Sequence, residues 1–598
     1  MINKFTINAL CNRFIPASVC PERGKTALIR SMVLLVMFIF STGFPGSIAA
    51  QSPPYPGQYA SPPLEIPMLL SGTFGELRSD HFHSGIDIKT QQREGLPVRV
   101  PADGYVSRIK ISHWGYGKAV YITHPDGYTT VYGHLSRFNK TLENYIKKKQ
   151  YEKKSFVIQL FPGAGQFPVK KGEIIAYTGS TGGFVGPHLH YEIRKTDGAI
   201  PTNPLLFGLN IPDHIKPTIQ SLYAYALQPG SQVNSSEVPI SIPITRISKG
   251  LYKAEEIFAE GTIGFGIETF DLLDGAPNHN GIYSMEMKVN GRTAYAMKME
   301  DFSFENTRDI NLHTDYKIYT NKRKWIRKCF IEPGDRLRIY DRQYPGAGYI
   351  DLADGDNVQV EIIVSDVAGN TSILIVPVKG KKLPIVLKKE VKTTDYPIIA
   401  SAFNKFTIAP VTVAFPKNTF YQDLYLDFKL LDDGSVQVHS PDVPLRKKFT
   451  ITFDTRSFLP EDRKHLFLAR YNRHGKPKYV PFKRKEEKIF ATTRKLGRYR
   501  LISDYKPPTV KPYNFYDGKW MSKEKYLKVK ISDELSGIES YSADIDGQWA
   551  RMEWDLKKGL LVYDFDDLPL TGAKHLLTLK VTDHANNTKI LKVTFYRK

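Results

Sequence analysis

The chain has 598 residues, of which 41% are hydrophobic, 24% charged and 12% aromatic, a composition that excludes disorder throughout. A chain of this length is longer than one hydrophobic core can organise, so several domains are expected. The net charge of +22 favours binding to an acidic polymer or to a membrane surface. Alternatively, the charge only keeps the protein soluble. Because the basic residues are scattered and no nucleic-acid motif is present, we expect no nucleic-acid partner.

Residues 1–50 have the order of an export signal peptide. Basic residues up to Arg30 precede an apolar run from Met32 to Phe40, and small residues end at Ala50. The run is too short to span a bilayer comfortably, and no later run reaches transmembrane length. We therefore expect an exported protein in the periplasm or cell envelope, or secreted, with Met32 as an alternative start. Cleavage would remove five basic residues and one acidic residue, lowering the net charge by four to +18.

The segment after the signal predicts a leader and then a domain of short strands. Residues 51–65 are rich in Pro, Gly, Ser and Tyr, which predicts an extended leader. Within residues 66–212, β-rich runs bounded by Gly, Pro or Asp predict strands at 98–100, 104–109, 119–123 and 128–132. Apolar spacing predicts one helix over 142–154.

The C-terminal part contains an internal repeat. The segment that begins at Asp213 resembles the one that begins at Asp504. Near the end of each copy, residues 364–370 resemble residues 581–587, and each of these segments predicts a strand followed by a turn. Residues 213–385 and 504–598 are therefore predicted to be two copies of one β module, the first carrying an insertion. The turn sequence Asp-x-Ala-Gly-Asn resembles that of bacterial immunoglobulin-like domains, and residues 386–503 are predicted to form a β domain of uncertain type. The fold class is thus mainly β: an antiparallel β domain followed by about three β-sandwich domains.

Three segments within 110 residues carry the candidate chemistry. They are His81-Phe82-His83-Ser84-Gly85-Ile86-Asp87, Tyr132-Gly133-His134-Leu135 and Gly182-Gly183-Phe184-Val185-Gly186-Pro187-His188-Leu189-His190-Tyr191-Glu192. Side chains alternate along a strand, so His188 and His190 point the same way, with Cα atoms roughly 6.6 Å apart. Two such imidazoles can flank one metal, or one can bind it while the other faces its ligand. A bare His-x-His is more often a solvent-facing strand edge.

The other two segments are weaker when taken singly. His83 and Asp87 are four residues apart with Gly85 between them, so a tight bend can bring an imidazole and a carboxylate together, although a solvated surface loop is the simpler reading. His81 is a competing ligand because it lies two residues from His83. His134 alone is more often a structural histidine. The glycines at 182, 183 and 186 predict a turn.

Taken together, the segments resemble the lysostaphin-type zinc endopeptidases, or LytM family, which cut peptides of peptidoglycan. The resemblance covers roughly residues 68–210 and implies a compact antiparallel β fold with one zinc ion in an open groove. It implies His83, Asp87 and His190 as zinc ligands, and His134 and His188 as catalytic residues. Three protein ligands leave the open position that catalytic zinc requires. His134 and His188 would orient or deprotonate the attacking water and stabilise the oxyanion, and the sequence leaves open which does which.

Three hypotheses for function follow. The first is a zinc metalloendopeptidase whose partner is peptidoglycan, with the β domains positioning it at the wall or contacting a cell-wall or envelope protein. The second is a non-hydrolytic binding or activator protein for other wall hydrolases, as in relatives that have lost zinc ligands. The third is a zinc peptidase that acts on ordinary proteins. The complete set of ligands here favours the first.

Overall fold

The N-terminal domain, residues 55–212, is built on antiparallel sheets. The computed structural model describes residues 55–183, 186–390 and 392–598, so the predicted signal peptide and the start of the leader lie outside the described residues. The strands of this domain are β1 Leu70–Gly72, β2 Ile86–Lys89, β3 Pro97–Arg99, β4 Gly104–Ile111, β5 Lys118–Thr123, β6 Tyr128–Gly133, β7 Arg137–Phe138, β8 Ile158–Leu160, β9 Pro168–Val169, β10 Ile174–Tyr177, β11 His188–Lys195 and β12 Ile200–Thr202.

The main sheet of this domain has the order β1-β2-β11-β6-β5-β4-β8, with β12 beside β11 and β9 beside β4, while β3, β10 and β7 form a smaller sheet. All four strands predicted for residues 98–132 are present. The predicted helix is α1, Lys140–Lys153, which begins where the Asn139 side chain accepts a hydrogen bond from the Leu142 backbone N–H. It ends at Lys154, which adopts a left-handed conformation at φ 45°.

The described part of the predicted leader is not an extended tail. Residues Gly57–Ala60 form a 3₁₀ helix, and the Tyr59 side chain is fully buried. The Tyr59 hydroxyl donates a hydrogen bond to Asp126, at 2.8 Å, and its ring packs edge-on against Tyr128 and Phe207. An aromatic side chain of this size contributes more by joining the core than by staying in solvent. The segment therefore belongs to the domain, at the end of β6 opposite to His134.

The first β module, residues 213–385, contains thirteen described strands and two short α-helices. They are β13 Thr218–Ala226, β14 Gln232–Val233, β15 Ile240–Ile242, β16 Ile244–Ser248, β17 Leu251–Ala254, β18 Ile257–Leu273, β19 Ala276–Asn280, β20 Ser284–Val289, β21 Arg292–Lys298, α2 Ile310–His313, α3 Tyr316–Lys322, β22 Ile326–Lys328, β23 Ile350–Leu352, β24 Asn357–Ser365 and β25 Thr371–Gly380. The long strand β18 lies between β13 and β25 in the sheet and also pairs with β14, β19, β22 and β23. It therefore connects these strands into one sheet network.

The central β domain, residues 386–503, has two five-stranded sheets that enclose one core within its described residues. Its elements are β26 Pro397–Ile398, β27 Asn404–Ile408, β28 Val411–Phe415, β29 Leu424–Tyr425, β30 Phe428–Leu430, β31 Val436–Val438, β32 Phe449–Asp454, α4 Pro460–Arg463, β33 Leu466–Tyr471, β34 Pro477–Tyr479, β35 Lys483–Lys485, β36 Lys488–Thr493 and β37 Gly497–Ser503.

The second β module, residues 504–598, repeats the strand order of the first. Its strands are β38 Thr509–Pro512, β39 Lys519–Trp520, β40 Tyr526–Ser532, β41 Ile538–Ile545, β42 Gln548–Trp549, β43 Glu553–Asp555, β44 Leu560–Asp564, β45 Lys574–Asp583 and β46 Thr588–Tyr596. The order β46-β45-β41-β42 matches β25-β24-β20-β21 of the first module. The insertion predicted for the first module contains α2, α3, β22 and β23. The prediction of a mainly β protein is confirmed.

The N-terminal domain and the first β module share their hydrophobic cores. Phe74, Leu77 and Phe82 pack in the core of the first module, and Leu273 of that module packs in the core of the N-terminal domain. The loop that connects β1 to β2 is therefore supported from outside its own sheet. None of the helices in the described part of the chain combines the length and apolar character that a membrane crossing requires.

Candidate active site

Three neighbouring strands bring the predicted site residues together. In the antiparallel register, His190 of β11 lies opposite Asp87 of β2 on one side and opposite Gly133 of β6 on the other. His134 follows directly after β6, with a left-handed backbone at φ 60°. Because side chains two apart on a strand share a face, His188 and His190 both point to the side on which Asp87 lies. The sheet thus gathers side chains that are about 100 residues apart in sequence.

The ligand atoms of His83, Asp87 and His190 converge on one point. His83 Nε2 lies 3.1 Å from His190 Nδ1 and 3.2 Å from Asp87 Oδ1. His190 Nδ1 lies 2.9 Å from the same Asp87 oxygen. All three residues are buried. His81, the competing ligand, is not part of this group: its side chain is about half exposed and pairs with Asp80.

The outer hydrogen bonds select which nitrogen of each imidazole faces this point. His83 Nδ1 lies 2.8 Å from the Thr73 carbonyl oxygen, and His190 Nε2 lies 2.8 Å from Glu192 Oε1. A carbonyl or a carboxylate can only accept, so these nitrogens carry the protons. The inner nitrogens, His83 Nε2 and His190 Nδ1, both face Asp87 Oδ1 and are the two atoms that would give lone pairs to a cation bound there.

The three side chains fit a zinc ion. Two imidazole nitrogens and one carboxylate oxygen are ligands that zinc prefers, and ligands about 2.0 Å from a tetrahedral centre lie about 3.3 Å apart. The separations of 2.9 to 3.2 Å among the three atoms are close to that spacing. Although burial favours the neutral acid, His83 and His190 hold the pKa of Asp87 well below its ordinary value. Asp87 is thus the carboxylate, the form that binds a cation.

His134 and His188 form a second pair beside this group. Their ring centroids are 4.6 Å apart, and His188 Nε2 lies 3.9 Å from Asp87 Oδ1. His134 Nδ1 lies 2.8 Å from the Thr181 carbonyl oxygen, and His188 Nδ1 lies 3.1 Å from that of Gly186. Burial, together with His190 and His188, lowers the pKa of His134 to about 3, and burial also lowers the pKa of His188. Both rings are neutral at pH 7, with the lone pair on Nε2, as a general base requires.

Glu192 is a buried residue of the site to which sequence analysis assigned no role. Besides His190, its carboxylate accepts hydrogen bonds from Tyr116 at 2.5 Å, from Ser84 at 2.9 Å and from Arg194 at 2.5 Å. Although burial favours the acid form, Arg194 and His190 hold its pKa well below the ordinary value. Strand alternation could have indicated Glu192, because it shares a face with His188 and His190.

Tyr116 is a second residue that sequence analysis missed. Its ring stacks on His190, with centroids 4.8 Å apart and planes at 24°. The Tyr116 backbone carbonyl accepts a hydrogen bond from the His134 N–H at 2.8 Å. No sequence signal marks this tyrosine, because it lies in a loop more than 70 residues from both Glu192 and His190. It nevertheless contacts one predicted zinc ligand, His190, and one predicted catalytic residue, His134.

The predicted glycine turn is present in its described residues. Gly182 has φ 86°, and a Cβ atom there would lie 2.2 Å from the Gly115 carbonyl oxygen. The Gly183 N–H donates a hydrogen bond to that same oxygen at 3.0 Å. Only glycine fits so close an approach of two backbones. The turn thus ties the loop before β11 to the loop that carries Tyr116.

Two family models match parts of the chain: Peptidase family M23 at residues 81–151 and Zu5-like domain at residues 397–504. The DD-carboxypeptidase/endopeptidase Mpg of Neisseria meningitidis serogroup B is 37% identical over 137 residues, which are 23% of this chain and 25% of the relative. A protein of Haemophilus influenzae named as an uncharacterized metalloprotease is 41% identical over 127 residues, 21% of each chain. The chain spans about a quarter of the length of these curated relatives.

A solved structure is also similar to part of the chain. It is a mutant catalytic domain of the prophage-encoded M23 protein EnpA from Enterococcus faecalis, 29% identical, with a TM-score of 0.18. The match covers 24% of this chain and 92% of that domain.

Proposed function

Because the chain contains a domain of peptidase family M23, the LytM and lysostaphin family, we propose that it is a zinc metalloendopeptidase that hydrolyses peptide bonds of bacterial peptidoglycan. The observation that carries this proposal is the convergence of His83 Nε2, Asp87 Oδ1 and His190 Nδ1 within 3.2 Å of one another, with two neutral histidines beside them. These three side chains would hold the zinc ion.

The roles of the remaining residues follow from their protonation. When bound, the metal supplies a Lewis acid that polarises the scissile carbonyl and activates water at neutral pH. His134 and His188 are neutral and keep a lone pair on Nε2, so either can accept the proton that the attacking water loses. After it accepts that proton, the imidazolium is a donor and can stabilise the oxyanion or protonate the leaving amine. Glu192, Tyr116 and Arg194 hold His190 in place.

The substrate class is supported by the relatives and by the charge. The Neisseria relative is named as a carboxypeptidase and endopeptidase, and a further relative from Caulobacter vibrioides, 30% identical over 138 residues, is named as a cell division protein. The net positive charge suits an anionic polymer such as the cell wall. An exported location, in the periplasm or cell envelope, is part of the same proposal. The β domains would position the enzyme at the wall.

Digestion of intact peptidoglycan sacculi tests this proposal. The purified protein, residues 51–598 and loaded with one equivalent of zinc, is incubated with sacculi, with a zinc chelator, and with chelator followed by excess zinc. Mass spectrometry of the released peptides identifies the bond that is cut. We expect loss of cross-linked dimers that the chelator stops and zinc restores. Zinc-loaded protein that leaves every stem peptide and cross-link intact would contradict hydrolysis and favour the non-hydrolytic activator. Cleavage of casein but not of sacculi would favour a peptidase of ordinary proteins.

A further inference from the structure

The two β modules each contain three aspartates in the same place. In the antiparallel register, Thr218 pairs with Phe270 in the first module and Thr509 pairs with Ser532 in the second. An aspartate follows each of the two partners. A second aspartate begins each module. The third lies where the strand before the final turn ends: Asp366 directly follows β24, and Asp583 is the last residue of β45. The first triad is Asp213, Asp271 and Asp366, and the second triad is Asp504, Asp533 and Asp583.

Within each triad the carboxylates approach closely. One oxygen from each of the three lies within 4.8 Å of the other two. In the first module the Asn370 amide donates hydrogen bonds to the Asp366 carboxylate at 2.8 Å and to the Asp213 carbonyl at 3.2 Å. In the second module Asn587 makes the same two bonds, to Asp583 and Asp504, each at 2.9 Å. The modules therefore share the geometry of the triad as well as its residues.

The first triad contains a buried oxygen without a donor. Asp271 is 2% exposed, and no donor among the described residues reaches its Oδ1 atom. Its register neighbour Asn280, 3% exposed, also has an Oδ1 atom without a donor among those residues. Leaving a buried acceptor unsatisfied costs about 1–3 kcal/mol, and more for a charged one. A bound cation would remove this cost at Asp271, because it supplies the positive partner that the carboxylate oxygen lacks.

A cavity lies where the first triad meets. It has a volume of about 30 Å³ and is lined by Asp213, Asp271 and Asp366, together with Thr73 and Asn203 of the N-terminal domain. This is room for one ion or one water molecule. Burial and the carboxylates of Asp213 and Asp366 raise the pKa of Asp271 to about 8. Burial and these two neighbours therefore disfavour a third negative charge on Asp271 in the absence of a cation.

A cavity of about 70 Å³ lies beside the second triad. Asp504 and Asp533 line it, and Asp583 does not. Ser536, whose backbone N–H donates to Asp504 at 3.1 Å, is fully buried, and its hydroxyl has no partner among the described residues. The lysine that lines this cavity, Lys506, pairs with Glu534 instead of with the triad. In the described part of the chain, no lysine, arginine or histidine forms an ion pair with either triad.

We propose that each β module binds one calcium ion between its three aspartates. The donors are all oxygen, which disfavours zinc, since zinc prefers nitrogen and sulfur. Calcium accepts six to eight oxygen ligands in flexible arrangements, whereas magnesium demands a small octahedral site and retains its water. Three carboxylates, with water molecules as the remaining ligands, suit calcium.

The first calcium site joins two domains. Its cavity wall includes Thr73, whose hydroxyl accepts a hydrogen bond from the Gly281 N–H at 2.9 Å. The Thr73 carbonyl is also the acceptor that orients His83. An ion there would hold the first module against the loop that carries His83. Calcium is therefore expected to stabilise the N-terminal domain as well as the module.

Calcium counting tests the proposal. The protein, residues 51–598, is freed of metal on a chelating resin, restored with one equivalent of zinc and dialysed against calcium up to about 10 mM, which spans the range of extracellular calcium modules. Bound calcium is measured by mass spectrometry of the metal, and binding by calorimetry with calcium and with magnesium. The variants are Asp271→Asn, Asp533→Asn and the double variant. The matched control is Asp432→Asn, an exposed aspartate of the central domain.

We expect two calcium ions per wild-type chain, one in each single variant, none in the double variant and two in Asp432→Asn. Calcium should raise the thermal midpoint of the wild type and leave that of the double variant unchanged. Because asparagine has the shape of the protonated acid, the variants should fold without calcium, and circular dichroism checks this. A wild-type chain that binds no calcium would overturn the proposal, and so would two ions retained by a folded double variant.

Discussion

At the residue scale, the candidate site depends on hydrogen bonds that set the direction of each imidazole. His83 donates from Nδ1 and His190 from Nε2, so opposite nitrogens of the two rings face Asp87. Although burial opposes the charged ring, hydrogen bonds to Asp87 and Glu192 raise the pKa of His190 to about 9. His134 and His188, held by backbone carbonyls, have lowered pKa values. The site therefore contains one ring, His190, whose charged form the two carboxylates stabilise. The other two rings, His134 and His188, stay neutral.

The proposed division between ligand and catalytic residues can be tested by two substitutions. His190→Ala should lose zinc and activity together, because two remaining ligands bind zinc poorly. His188→Ala should keep zinc and lose turnover by a factor of about 10² to 10⁴, the usual contribution of a general acid or base. Zinc content and the rate of cross-link cleavage are the measurements. His81→Ala, outside the group, should retain both. Full zinc in His190→Ala would refute its ligand role, and normal turnover in His188→Ala its catalytic role.

Glu192 should control zinc affinity without contacting the metal. Glu192→Gln removes the charge that His190 and Arg194 share, so zinc affinity should fall about 10- to 100-fold, as for other partners of a ligating histidine. Competition with a chromophoric chelator gives the affinity. Glu173→Gln, at an exposed glutamate of the same domain, is the matched control. An affinity equal to that of the wild type in Glu192→Gln would show that His190 is oriented by other contacts.

At the element scale, the loop between β1 and β2 carries His83 but packs on the first β module. Phe82 is fully buried, 5.4 Å between centroids from Phe302 and 6.0 Å from His313. The Phe82 backbone N–H also donates to Thr307 at 3.2 Å. The insertion that contains these partners therefore supports the loop of His83, the proposed zinc ligand in the N-terminal domain. Its Phe304 ring lies 4.9 Å from the Arg194 guanidinium, which in turn holds Glu192.

Phe82→Ala should weaken both the fold and the metal site. Removing a buried phenylalanine costs about 3–5 kcal/mol in the free energy of unfolding. Because His83 is the next residue, zinc affinity should fall as well. Urea unfolding and zinc competition measure the two effects. Phe161→Ala, at a phenylalanine that is 66% exposed, should change stability by less than about 0.5 kcal/mol. A stable Phe82→Ala with unchanged zinc affinity would contradict the support that we infer.

At the scale of the whole molecule, the N-terminal domain contacts both β modules. The side chain of Asp567, in the second module, is fully buried and pairs with Arg551 at 2.7 Å and with Lys147 of α1 at 2.8 Å. His113 packs against Trp554, with ring centroids 5.7 Å apart. The first module contributes through Phe74, Leu77 and Phe82, which join its core. The domain therefore buries apolar surface that it cannot bury alone.

Truncation should reveal this dependence. Residues 55–212 alone would expose Phe74, Leu77 and Phe82, so we expect aggregation or loss of a cooperative thermal transition. Residues 55–385 keep the shared core and should melt cooperatively. Calorimetry and size-exclusion chromatography of the two fragments are the measurements. If residues 55–212 were monomeric with a transition as sharp as that of residues 55–385, the shared core would not be needed for folding.

The sequence by itself determined the features that depend on local pattern. Short β-rich runs bounded by glycine and proline predicted the strands, and the spacing of Leu142, Tyr145 and Ile146 predicted α1. The repeated segments predicted two related modules, because the same order of residues directs the same strand pairing. The five predicted site residues came from the joint resemblance of three short segments to the lysostaphin-type family, since each segment was weak alone.

Only the tertiary structure decided which distant residues meet. The roles of Tyr116 and Glu192, the docking of Phe82 on the first module and the burial of Tyr59 depend on strand register and on packing between domains. His81 and His83 are equivalent by spacing, and only the fold leaves one in solvent and turns the other inward. The aspartate triads are also features that only the tertiary structure reveals. From first to last aspartate the triads span 153 and 79 positions, which no local periodicity relates, and the closing of each module brings the three side chains together.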